Sequence, residues 1–220
     1  MVDEHYYQSP GWFIHNQEYY DRYDRSKSKV YLGEYAAHLP GRPNNLETAL
    51  AEALYLTALE RNGDVVHMTS YAPLLAKEDH TQWSPDLIYF NNTQVKPTVG
   101  YQVQKLYGLN SGNEYLPATI TLSDNRDAVK KRVAYSVVRD TKSKDLIIKL
   151  VNLLPVAVAS ETDLKNSGLA GTNAVKMVLQ GKDPSDKNAV PVESTITVSE
   201  KLVAELPPYS FTVIRIKTKG

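Results

Sequence analysis

The sequence predicts an α/β segment followed by an all-β segment, with the change near residue 110. Three observations carry this. From Val2 to Thr69, short apolar and aromatic runs alternate with helical patterns, as in successive βαβ units of a parallel sheet. Both tryptophans, all five histidines and every tyrosine except Tyr115, Tyr135 and Tyr209 precede residue 110. Beyond Leu109-Asn110-Ser111-Gly112 the chain turns Val/Lys/Thr-rich and breaks into short alternating runs between turn signals, the pattern of an antiparallel sandwich.

The elements follow in order. Val2 to Tyr7 is a short strand with His5 and Tyr7 on one face. Ser9 is placed to cap a helix and Pro10 to open it, the helix running to about Tyr23 before the polar loop Arg25-Ser26-Lys27-Ser28. Lys29 to Ala36 is the next strand. After the loop Pro40-Gly41-Arg42-Pro43, Asn44 or Asn45 caps a helix through Leu46, Ala49, Leu50, Ala53, Leu54 and Ala58, and Asn62-Gly63 closes it. Asp64 to Thr69 is a third strand. In the second segment, Tyr115–Leu122, Lys131–Val138, Asp145–Leu154, Ala174–Leu179, Ser194–Val203 and Ser210–Ile216 read as strands.

The strand Val30-Tyr31-Leu32-Gly33-Glu34-Tyr35 is the most informative piece. Simple alternation puts Val30, Leu32 and Glu34 on one face. An acid at the C-terminal end of a buried parallel strand is where an active site opens, and Gly33 leaves room beside it. The plain alternative is a surface strand ending on an exposed Glu.

Balanced charge, 25 basic against 25 acidic residues, removes the electrostatic case for nucleic acid. No apolar run reaches bilayer-spanning length, and no histidine pair has metal-ligand spacing, so neither membrane, metal nor other cofactor is expected. The absence of cysteine excludes disulfides and thiolate chemistry without fixing a compartment.

Taken together, D-E-H-Y-Y-x-S-P-x-W-F, V-Y-L-G-E-Y-A, N-N-L-E-x-A-L-A-E-A, T-S-Y-A-P-L-L-A and H-T-Q-W-S-P-D-L-I-Y-F resemble the C-terminal portion of glycoside hydrolase family 51, the α-L-arabinofuranosidases. The likeness runs from residue 2 to about 107. The remainder, ending Leu206-Pro207-Pro208-Tyr209-Ser210-Phe211-Thr212-Val213, is similar to the β-sandwich that closes those enzymes. The resemblance implies a retaining mechanism with two carboxylates about 5–5.5 Å apart. It implies that residues 1–110 are the last three β/α units of a (β/α)8 barrel and residues 111–220 a C-terminal β-sandwich domain. Glu34 would be the nucleophile. His5 and Tyr7 would line the sugar subsite, and Trp83 its rim, with a further polar contact at Gln82 or Asp86. The implied substrate is an arabinofuranosyl-containing oligo- or polysaccharide.

The family's acid/base glutamate stands in an N-E pair well upstream of its G-E-Y. Asn113-Glu114 lies downstream and does not fit that role. The resemblance therefore implies a missing N-terminal part of the same enzyme as partner, an inactive isolated chain, and a stranded sheet edge prone to homo-oligomer formation. A non-catalytic carbohydrate-binding or structural sandwich module stays open as the other reading, although the second segment is poor in the aromatics that stack on sugars. From its residues alone, without the resemblance, His5 reads as a satisfied strand-end histidine; His67 reads as structural, and His15, His38 and His80 are scattered. The cluster Tyr19-Tyr20-Asp21-Arg22-Tyr23 reads as packing.

Overall fold

The computed structural model describes residues 1–219. It opens with β1 (Val2–Gln8), α1 (Pro10–His15), β2 (Val30–Ala37), α2 (Leu46–Arg61) and β3 (Val66–Thr69). The three strands form one sheet in the order β1-β2-β3, parallel throughout. Ser9 caps α1 by accepting from Trp12 N at 3.2 Å. The helix stops at His15, not near Tyr23, because both the backbone N–H and the side chain of Asn16 return to Trp12 O. The tyrosines that follow are in turns, where they pack individually against β1. Tyr20 and Tyr23 donate to the Glu4 carboxylate (2.7 and 2.9 Å), and Tyr6 donates to Tyr55 at 3.0 Å.

Asn45 and Thr48 make a reciprocal capping pair at the start of α2. Residues Leu46 and Thr48 through Leu59 of this helix are all buried. A helix apolar on every side belongs in an interior, and α2 lies between the parallel sheet and the antiparallel sheet described below. Four alanines (Ala49, Ala51, Ala53 and Ala58) add little bulk on these crowded sides.

The pairing of β1 with β2 is interrupted once. Glu4 lies opposite Leu32 and His5 opposite Glu34, so Gly33 is an extra residue, a β-bulge. The bulge corrects simple alternation. Val30, Leu32 and Tyr35 are fully buried on the side covered by α1 and α2, while Glu34 turns to the opposite, open face with His5. Gly33 serves there because a Cβ would collide with the Asp3 carboxylate.

Between β3 and residue 110 stand elements that the sequence reading did not anticipate. β4 (Leu75–Lys77), β5 (Ile88–Phe90) and β6 (Val95–Pro97) make a small mixed sheet, and α3 (Val99–Leu109) follows with Thr98 as cap. The helix was legible: its buried residues Val99, Val103, Leu106 and Tyr107 recur at helical spacing.

The rest comprises β7 (Glu114–Tyr115), a single turn α4 (Asp127–Lys130), β8 (Val133–Asp140), β9 (Asp145–Asn152), β10 (Val158–Asp163), β11 (Leu169–Gln180), β12 (Pro191–Thr197), β13 (Lys201–Leu206) and β14 (Ser210–Thr218). Six strands form an antiparallel sheet, β12-β11-β14-β9-β8-β7, and β10 pairs with β13 as a separate two-stranded layer. The strand expected over Tyr115–Leu122 ends at Tyr115. The run expected over Ser194–Val203 is two strands, broken where Ser199 Oγ accepts from Lys201 N. β10 was missed because Ser160, Glu161, Thr162 and Asp163 carry little apolar signal.

β9 is buried along its whole length. Leu146, Ile148 and Leu150 face the β10–β13 layer with Leu202 and Leu206. Ile147 and Val151 face the helices, in the same core as Phe13, Leu50, Tyr107 and Phe211. That core crosses residue 110 without a break. On its helix-facing side, fully buried Lys149 meets Glu60 of α2 at 2.6 Å, and Ser136 donates to the same carboxylate.

Candidate active site

The open face of the parallel sheet collects the polar side chains. Asp3, His5 and Tyr7 alternate along β1, and the Gly33 bulge sets Glu34 beside them. The Tyr7 phenol donates to Glu34 Oε2 at 2.6 Å. His5 Nδ1 lies 3.8 Å from the same oxygen, and its Nε2 is 3.0 Å from Asp3 Oδ2. Burial raises the Tyr7 pKa, and the hydrogen bond and charge of Glu34 raise it further. Tyr7 is therefore a fixed donor that holds one carboxylate oxygen of Glu34.

A cleft of about 470 Å³ opens at the C-terminal ends of β1 and β2, lined by Tyr7, Glu34, His38, Arg42, Ala72, Pro73, Trp83 and Ser84. Parallel strands place their working groups at this end, where loops converge. Trp83 is 65% exposed, and its loop is fixed through Thr81, whose hydroxyl donates to Trp83 O and accepts from Trp83 N. Neither Gln82 nor Asp86 lines the cleft. Asp86 is buried behind it, and that burial raises its pKa while Thr81 opposes the shift.

His38 was passed over in the sequence as one of several scattered histidines. Its ring stacks on Tyr7 with centroids 5.2 Å apart and planes at 17°. Burial lowers its pKa, and the charge of Arg42 lowers it further. The signal that would have found it is position, one residue past the strand that carries Glu34. Arg42 was placed in a loop and assigned no role. His67, read as structural, is exposed on β3, and His15 and His80 are exposed away from the cleft. Glu114 pairs with Arg139 at 3.5 Å on the antiparallel sheet and takes no part in the cleft.

A larger cavity, about 870 Å³, runs along β3, α2, α3 and the Ser111–Asn113 turn. Of its two acids, partly buried Glu60 is committed to Lys149 and Asp64 to Arg25, so the smaller cleft is the better chemical candidate. Among the described residues no group of three or more His, Asp or Glu side chains could hold a metal ion, and no helix is long and apolar enough to cross a membrane.

A carboxylate fixed by a phenol, beside an imidazole and in a cleft shared with an exposed indole, is suited to glycoside chemistry. The profile of the α-L-arabinofuranosidase C-terminal domain family matches residues 16–210. The chain belongs to that family and corresponds to the C-terminal portion of family 51 enzymes. It is 51% identical over 121 residues to an extracellular exo-α-L-arabinofuranosidase of Streptomyces chartreusis, covering 55% of this chain and 14% of that protein. Over 95% of its length it is 33% identical to α-L-arabinofuranosidase 1 of Arabidopsis thaliana, of which it covers 32%. A solved arabinose-bound family 51 α-L-arabinofuranosidase matches 99% of this chain and 37% of its own, with a TM-score of 0.89 at 30% identity. An α-L-arabinofuranosidase from Thermotoga maritima shares the fold, with a TM-score of 0.71 at 16% identity over 97% of this chain and 52% of its own. The chain thus spans a third or less of the length of these two curated relatives.

Proposed function

We propose that this chain carries the nucleophile half of the active site of a retaining α-L-arabinofuranosidase acting on arabinofuranosyl-containing glycans. In this reading β1, β2 and β3 are the last three strands of a (β/α)8 barrel that extends to about residue 110, and a β-sandwich domain follows. The observation that carries it is Glu34 at the C-terminal end of a parallel strand, turned onto the open face by the Gly33 bulge and held by Tyr7 at 2.6 Å.

Glu34 attacks the anomeric carbon, the glycosidic C–O bond breaks, and the sugar is held as an ester on the carboxylate. The leaving oxygen takes its proton from a second carboxylic acid. The cleft's lining contains one acid, Glu34, so the second comes from a part of the enzyme outside these residues. Water then attacks the ester from the opposite side and releases arabinose with its configuration retained. The Tyr7 donor and the neighbouring His5 orient Glu34, and Trp83 offers a flat face to a sugar ring.

The test is Glu34→Ala in the full-length enzyme that contains this chain. Turnover of an activated aryl arabinofuranoside should fall by several orders of magnitude. Added azide should restore it in part and yield the arabinofuranosyl azide of inverted configuration. Near-wild-type turnover, or an azide product of retained configuration, would overturn the assignment.

A further inference from the structure

We infer that Arg42 makes the outer wall of the Glu34 cleft a subsite for a carboxylate, so that the preferred leaving group is a uronate-bearing sugar. This rests on the glycosidase reading above and specifies its substrate.

The first observation is backbone geometry. Gly41 and Arg42 both adopt positive φ, 73° and 49°. Glycine does so freely, but a residue with a Cβ is disfavoured there, and a following proline adds a further restriction. Packing does not explain it, because Arg42 is exposed and buries little; exposed Lys144 adopts the same region in a plain turn, so the informative point is where the side chain of Arg42 goes. That place is the cleft, and one guanidinium donor, Nη1, reaches Ser84 O at 3.3 Å to fix the head group against the Trp83 loop.

The second observation is what Arg42 does not meet. A guanidinium offers five N–H donors in a planar fork that matches a carboxylate. Among the described residues Arg42 makes no ion pair, and Ser84 O is its side chain's one hydrogen-bond partner. The cleft's only acid, Glu34, is engaged by Tyr7 and flanked by His5. The remaining wall is uncharged: Ala72, Pro73, Trp83 and Ser84.

The third observation is His38. Its Nε2 is buried and has no hydrogen-bond partner, although a buried polar atom ordinarily has one. The ring cannot swing freely to find one, being stacked on Tyr7. That nitrogen is shielded from the cleft, so His38 serves with Tyr7 as a fixed wall and leaves Arg42 as the free cationic donor of the lining. These features fit one ligand. A pyranose ring lies on the indole of Trp83 with its carboxylate facing the Arg42 fork, while the arabinofuranosyl unit sits over Glu34.

The experiment uses the full-length enzyme and two substrates that differ in one group. One is an α-L-arabinofuranosyl-hexuronate disaccharide. The other is the same compound with its carboxylate reduced to hydroxymethyl. An ionic hydrogen-bonded contact predicts a kcat/KM ratio of about 10–100 in favour of the uronate, shrinking as salt is raised. In Arg42→Gln the ratio should approach one, and in Arg42→Lys it should fall between. A wild-type ratio within about twofold of unity, or one unchanged in Arg42→Gln, overturns the inference. Hydrolysis of neither disaccharide nor any aryl arabinofuranoside would instead overturn the glycosidase reading, and this inference with it.

Discussion

A methyl group added at position 33 would collide with the carboxylate of Asp3 and press on the His5 ring. Those two side chains and Tyr7 form the bed on which Glu34 lies, so Gly33→Ala should act on the site before it acts on the fold. Overpacking of this kind costs about 1–3 kcal/mol, while displacement of a reacting group by an ångström costs about 10²-fold in rate. In the full-length enzyme the variant should keep a cooperative thermal transition and lose kcat far more than it raises KM. Unaltered kcat with a lowered Tm would mean that the bulge serves stability alone. At this scale the grouping of Glu34 with His5 and Tyr7 was foreshadowed by the resemblance carried by G-E-Y and H-x-Y, and the structure brings the three side chains together. The face that Glu34 takes was not readable, since a bulge exists only in the register between two strands. His38 and Arg42 were hidden for a similar reason. Their meaning comes from Tyr7 and Ser84, which lie 31 and 42 positions away along the chain.

Among the elements, α2 carries the most unusual group. Glu52 is 1% exposed; its Oε1 accepts from Ala37 N at 2.8 Å, and its Oε2 has no partner. Burial pushes its pKa from the ordinary 4.5 up to about 8, the Ala37 hydrogen bond pulling the other way. Between those values the folded protein keeps a proton that the unfolded chain gives up. Stability from this group is therefore greatest below about pH 4.5 and declines as pH rises toward 8, by up to about 1.4 kcal/mol per pH unit. Glu52→Gln keeps the acceptor for Ala37 and cannot ionise. Its urea midpoint should drop less than the wild type's between about pH 5.5 and 7.5. Equal drops in the two proteins would show that Glu52 is already ionised in the fold. The extent of α2 was legible from the spacing of its leucines and alanines and from Asn45. The early end of α1 was not, because apolar and aromatic residues from Trp12 to Tyr23 imitate a helical stripe while serving separate contacts in the turns. The three-residue strands β4, β5 and β6 are too short to show a period of two.

For the whole molecule, composition changes sharply near residue 110, yet the apolar core does not. Phe211 stacks on Tyr107 at 5.0 Å, and Ile147, Val151 and Val213 share a core with Leu50 and Phe13. Composition records what each segment is made of, whereas cooperativity depends on what touches what. The protein is accordingly expected to melt in one calorimetric step, with calorimetric and van't Hoff enthalpies in agreement. Two resolved peaks would assign separate stabilities to the two segments. The pairing of Lys149 with Glu60 carries this into evolution and engineering. A charge sealed at the seam between helix and sheet is tolerable only with its counter-charge present, and removing one member of such a pair costs about 3–5 kcal/mol. Recombination that joins this C-terminal sheet to an α2 lacking an acid at position 60 would leave Lys149 facing an unmatched surface. The inheritable module is therefore the sheet together with the helix beneath it, and chimaeras joined upstream of Asn45 should be recovered folded more often than chimaeras joined at residue 110.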